Sequence, residues 1–166
     1  MGGFLDTSLY PLASPLTQDI GSDINLLADP HAAHIALAAP FPSITLAGNV
    51  ANAQSLTPAR RDAIGAAAGQ ANPYARLLRD SALEYPLWDE TAAAVMACRD
   101  LVTRFVVAYA DVEMGFDEPD LGRLHLWGEG FAPAHSRRVN YVLEVDQEAV
   151  FERVAHAVVN LPKVCS

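Results

Sequence analysis

Tyr85-Pro86-Leu87-Trp88-Asp89-Glu90, running into Ala92-Ala93-Ala94, is where this chain changes character. Upstream lie segments that read as helices. Just downstream the chain turns rich in Val, Phe and Tyr and reads as strand. The alanine run has high helix propensity, and Pro86 ends any helix arriving from upstream, so a helix is predicted from about Asp89 to Arg99. The stretch also sets one carboxylate, Asp89, at the helix start beside a large aromatic, Trp88. A carboxylate there can cap the helix, or it can point outward and hold a hard cation.

Working upstream, three cap signals repeat. Asp29-Pro30, Thr57-Pro58 and Asn72-Pro73 each join a side-chain acceptor to a proline at the first helical position. They predict helices over about 30–39, 58–68 and 73–83. Ser43-Ile44-Thr45-Leu46-Ala47 reads as a short apolar strand ending at Gly48. Met1-Gly2-Gly3-Phe4-Leu5-Asp6 reads as the end of a buried strand running into a loop over 6–22, a length that in compact domains is often functional. Working downstream, Leu101 to Met114, Leu124-His125-Leu126-Trp127 and Arg138 to Leu143 read as strands. A last helix begins near Asp146, with Val150, Phe151, Val154, Ala157 and Val158 on one face. The order is mixed α and β, helices grouped before strands, in one domain over residues 1–166.

Composition bounds the function. The 166 residues suffice for one real core, and 51% apolar content fits a globular chain. A net charge of −9, with basic pairs only at Arg60-Arg61 and Arg137-Arg138, argues against nucleic-acid binding. No run approaches the roughly 20 apolar residues of a membrane span. The N-terminus lacks a basic region followed by an apolar core, so no signal peptide is expected. The two cysteines, Cys98 in an apolar helical stretch and Cys165 next to the last residue, make no disulfide framework or zinc site. A reducing, cytoplasmic setting is the expectation.

Several polar residues are candidates for chemistry. Asp23 and Asn25 lie two apart; in an extended segment they point to one side and suit hydroxyl groups, or they satisfy their own loop. Trp88 is a stacking platform or a core aromatic. Asp117, Glu118 and Asp120 flank Pro119 and read as a solvated turn. His31 and His34, three apart on a helix, could bind zinc, but no third ligand is visible and a partly exposed helix face fits them better. His125 reads as a core or edge histidine. There is no glycine-rich phosphate loop and no nucleophile elbow.

Taken together, Met1-Gly2-Gly3, Ser22-Asp23-Ile24-Asn25, Asp29-Pro30-His31-Ala32-Ala33, Ile44 to Gly48 with Asn49-Val50, Pro86-Leu87-Trp88-Asp89-Glu90, the Gly122-Arg123 strand entry and the final helix resemble the C-terminal half of the inosine–uridine-preferring nucleoside hydrolase family. The resemblance implies an open α/β sheet with flanking helices and a small antiparallel section, with the N-terminal half missing. It implies cleavage of the N-glycosidic bond of ribonucleosides with a calcium ion. Asp89 is then a calcium ligand, and Asp23 (where the family usually has Glu) and Asn25 hold ribose hydroxyls. Trp88 stands where many members carry a histidine that protonates the leaving base; an indole there stacks on the base and tilts preference toward purine nucleosides.

The departure from the family is its aspartate-rich motif, which supplies most calcium ligands and the catalytic base. No Asp-x-Asp followed by paired Asp occurs in these residues. No catalytic residue is therefore assigned, and the chain is expected to be inactive alone, oligomeric or associated with a missing N-terminal half. Two alternatives stand beside this: a non-catalytic module that binds nucleosides or pairs with another subunit, and an unrelated α/β domain with capping carboxylates and no site.

Overall fold

The computed structural model describes residues 1–5, 23–69, 71–80, 86–118 and 120–160. The expected loop over 6–22, the expected helix end at Leu83, Pro119 and Cys165 lie outside them. The elements in chain order are α1 (Ile24–Leu27), α2 (Pro30–Ala38), β1 (Thr45–Leu46), α3 (Gly48–Asn52), α4 (Pro58–Ala68), α5 (Pro73–Asp80), α6 (Trp88–Ala97), β2 (Val102–Val112), β3 (Leu124–Trp127), β4 (Arg137–Val145) and α7 (Gln147–Val159). They fall into two compact units that interleave along the chain. One comprises Met1–Val50 with Arg104–Glu144, the other Ala51–Thr103 with Val145–Ser166.

The cap signals work as read. The Asp29 carboxylate accepts from Ala32 N at 2.9 Å, and Thr57 Oγ1 from Arg60 N at 3.3 Å. Asn72 Oδ1 accepts from Tyr74 N and Ala75 N at 2.9 and 3.1 Å, and Asp146 from Ala149 N at 3.0 Å. Each satisfies N–H groups that a helix start leaves without an intrahelical partner. α6 is different. Its N-cap is Leu87, with no side-chain cap, and Asp89 and Glu90 stand in the first turn, where they favour the helix dipole. Asp89 is thus not the capping residue.

The first unit is built on a four-stranded sheet in the order β1-β4-β2-β3. β1 runs parallel to β4, pairing Leu46 with Tyr141, while β2 and β3 are antiparallel, pairing Asp111 with His125. Leu26, Leu37, Leu46, Ala110, Val112, Leu124, Val139 and Tyr141 form its core. Two glycines are fixed by close approach. A Cβ on Gly48 would lie 2.7 Å from Phe4 N and 2.8 Å from Gly2 O, so the Met1-Gly2-Gly3 segment rests directly on it. Gly122, at φ +79°, lies against the Leu27 backbone in the β2–β3 turn. In that turn Asp120 pairs with Arg123, as expected of a solvated turn.

The second unit is helical. Leu56, Ile64 and Leu87 pack with Phe151, Ala155 and Val158, and Ala94, Cys98 and Leu101 pack with Val150. Val150, Phe151 and Val158 of the predicted α7 face are therefore core residues, whereas Ala157 is exposed. Arg60 lies 4.6 Å over the Phe151 ring and is held by Gln54, Ser55 and Glu148. Cys98 is buried in this core, and it is disulfide-bonded, which corrects the expectation that the cysteines make no disulfide. Spacing along the chain carries no information on a through-space bond. No helix among the described residues is long and apolar enough to cross a membrane.

Candidate functional site

The second unit presents Trp88 and Asp89 from a well-anchored start of α6. Leu87 is 1% exposed, its N–H donates to Gln54 O at 2.6 Å, and Pro86 bridges to Ser55. This fixes the segment from behind. The Trp88 indole N–H donates to Asn52 Oδ1 at 2.9 Å while the side chain stays 39% exposed. One edge of the ring is thus tied down and part of its surface faces solvent. Asp89 is exposed, and its carboxylate makes no hydrogen bond to a described residue. An ordered aromatic beside an uncommitted carboxylate can receive a flat ring and a cation or hydroxyl.

Asp23 and Asn25 lie in the first unit; Asp23 is extended but Asn25 is helical, so the two do not share the extended segment that would point them to one side. Asp23 is the N-cap of α1 and Asn25 is inside that helix. The Asp23 carboxylate is 4% exposed and takes Phe4 N–H on Oδ2 at 2.8 Å, with Asn25 N–H at 2.8 Å and Leu26 N–H at 3.4 Å on Oδ1. A carboxylate offers about four lone-pair sites, so one remains for a hydroxyl. Asn25 is exposed, and its amide donates to Met1 O at 3.3 Å.

The sequence reading missed a third constellation, in the first unit. His34 Nδ1 lies 2.7 Å from Asp111 Oδ1, and His135 Nε2 lies 2.6 Å from Asp111 Oδ2. The two imidazoles meet edge to face with centroids 5.3 Å apart. Burial pushes the Asp111 carboxyl up, but hydrogen bonds from His34, the Val112 N–H and His135 outweigh it and hold the group below its ordinary value. A cavity of about 650 Å³ opens over these groups, lined also by Glu113, His125 and Trp127. One signal was available: Asp111 is the lone charge in the apolar run Val106 to Val112. His34 had been paired with His31, which is exposed. His135, in a turn before β4, gave no signal.

Asp89 belongs to no cluster of potential metal ligands among the described residues; the cluster found there is His34, Asp111 and His135. Calcium takes six to eight oxygens. The residues described here do not fit a calcium ion by themselves, and no catalytic step is derived through one.

Comparison with known proteins agrees with the architecture. The solved structure of an Inosine-Guanosine Nucleoside Hydrolase (IG-NH) superposes with a TM-score of 0.67 at 16% identity, covering 85% of this chain and 47% of that one. "Uncharacterized protein C800.11" of Schizosaccharomyces pombe is 31% identical over an alignment of 146 positions that covers 76% of this chain and 36% of that protein. The chain thus spans about a third to a half of the length of these two proteins. The family model described as "Inosine-uridine preferring nucleoside hydrolase" matches residues 1–152. With a mixed open sheet, flanking helices and a family match over nearly its whole length, the chain belongs to the inosine–uridine preferring nucleoside hydrolase family.

Proposed function

We propose that this chain is the nucleoside-binding, C-terminal part of a purine-leaning ribonucleoside hydrolase, and that it does not turn over substrate alone. The observation that carries the reading is the start of α6: an indole held by Asn52 yet 39% exposed, next to an Asp89 carboxylate with no hydrogen bond to a described residue. Trp88 stacks on the base and orients it. In the first unit, the family resemblance gives Asn25 and the remaining lone-pair site of Asp23 the role of accepting hydroxyl groups. Asp89 would contribute one oxygen to a calcium ion, whose other ligands, with a water-activating base, would have to come from outside the described residues. Catalysis then waits on a partner that brings those carboxylates.

One further observation favours association. Phe105, Val106 and Val107 are successive residues of β2 and are 52%, 41% and 47% exposed. Successive strand residues point to opposite faces, so both faces of this stretch are uncovered. An uncovered apolar strand is a surface for pairing with a second copy or with the rest of a hydrolase domain.

The test is calorimetry of inosine and uridine binding to residues 1–166 in excess calcium, with Trp88→Ala beside the unmodified chain. Base–aromatic stacking contributes about 1–3 kcal/mol, so inosine affinity should fall roughly five- to 150-fold, and uridine affinity less. Equal loss for both would make Trp88 a packing residue. No binding of either nucleoside by the unmodified chain would remove the reading.

A further inference from the structure

We propose that His34, Asp111 and His135 form a binding site for a divalent transition ion of the zinc class, with one coordination position open to the cavity above them. The site uses none of Asp23, Asn25, Trp88 or Asp89 and stands independently of the nucleoside reading.

The first argument is convergence. Helix α2, strand β2 and the turn before β4 each deliver one side chain, and the three ligand atoms all lie within 4.8 Å of one another. In zinc sites, bonds of about 2.0–2.2 Å in a tetrahedron set ligand atoms roughly 3.3–3.6 Å apart. The imidazole nitrogens now rest on the carboxylate oxygens at 2.7 and 2.6 Å. Opening these contacts by less than about 1 Å brings them to zinc distances. Two imidazoles and one carboxylate suit zinc, whereas calcium and magnesium require oxygen ligands throughout.

The second argument is charge. The described residues lining the cavity include two carboxylates, Asp111 and Glu113, and three histidines, but no Lys or Arg. The Asp111 side chain is 10% exposed, so its negative charge sits in a poorly hydrated place. A divalent cation held by neutral imidazoles compensates it, and the Val112 N–H, 2.8 Å from Asp111 Oδ1, fixes the carboxylate as an outer-shell donor would.

The third argument is an unsatisfied group nearby. His125 pairs with Asp111 across the antiparallel ladder, on the same sheet face. Its Nε2 is buried without a hydrogen bond, and its nearest acid, Glu113 Oε2, is 3.6 Å away, too far for one. Stacking on Trp127, with centroids 5.6 Å apart, holds the ring. A metal-bound water in the open position gives His125 a partner; Glu113 already accepts from Met114 N–H and Gly115 N–H on Oε1.

The test is calorimetric titration of zinc into the full chain, with single variants alongside. The chain should bind one ion. His135→Gln changes a side chain that is 54% exposed, so the fold should be retained, as circular dichroism will report. It should weaken zinc by more than the roughly 10- to 100-fold loss typical of an outer-shell partner. His34→Gln should do the same, and His31→Gln, on the exposed side of α2, should leave affinity unchanged. Cobalt(II) should give the intense visible bands of a four-coordinate ion, lost in His135→Gln. Absence of zinc binding, equal affinity in His135→Gln and the unmodified chain, or the weak spectrum of six-coordinate cobalt would overturn the site and leave a hydrogen-bonded trio.

Discussion

Replacing Asp23 by Ala removes the only described tie between the residues 1–5 segment and α1 that runs through a charged group. Two losses add. The capping oxygen that receives Asn25 N–H and Leu26 N–H contributes about 1 kcal/mol. The bond from buried Phe4 N–H to a charged acceptor contributes about 1.5–3 kcal/mol. Together Asp23→Ala should destabilise the first unit by about 2–4 kcal/mol. Because two compact units need not unfold together, a single denaturation midpoint is the wrong readout. Native-state amide exchange resolves it, and protection of the most slowly exchanging first-unit amides should fall roughly 30- to 700-fold. Asp23→Asn keeps an acceptor but loses the charge, and should cost about half as much. A fall below about 1 kcal/mol in Asp23→Ala, or equal effects of Ala and Asn, would refute this role, because both numbers follow from a charged acceptor of buried N–H groups.

Three further predictions concern backbone approach, helix propensity and acid. Gly48→Ala places a Cβ 2.7 Å from Phe4 N and should cost about 1–3 kcal/mol in chemical denaturation. Gly65→Ala, inside α4 with nothing within 4 Å of its Cβ, should gain roughly 0.5–1 kcal/mol. For Asp111 the folded-state value lies below the ordinary 3.8, so its ionised form stabilises the fold above that pH and the contribution is lost as pH falls through the folded value. Stability measured from pH 6 downward should steepen below about 3.8, and Asp111→Asn should flatten that limb. An unchanged slope in the variant would refute it.

Local signals explain what was readable in the sequence. Asp29-Pro30, Thr57-Pro58, Asn72-Pro73 and Asp146 mark helix starts because a side-chain acceptor and a missing N–H act over three or four residues. Strand β3 falls on the residues predicted for it, and Leu101 to Met114 contains β2. Helices α1 and α3, of four and five residues, are too short to show a period, so Asp23 and Asn25 were placed on an extended segment. Leu87 took the N-cap position of α6 because its backbone bond to Gln54, in the segment between α3 and α4, sets where the helix begins. Contacts of that kind are invisible to spacing. His34 and His135 are separated from Asp111 by 77 and 24 residues, and only the sheet and its connections bring them together.

The most direct test of the central reading is ribose release from inosine, guanosine, adenosine and uridine by the purified chain of residues 1–166 in excess calcium. No turnover above background is expected, because on the proposed reading Asp89 would supply only one metal ligand and these residues contain no aspartate-rich motif to provide the rest or the base. Turnover that tracks the purified chain and disappears in Asp89→Ala would contradict it, and would place a complete hydrolytic site within these residues.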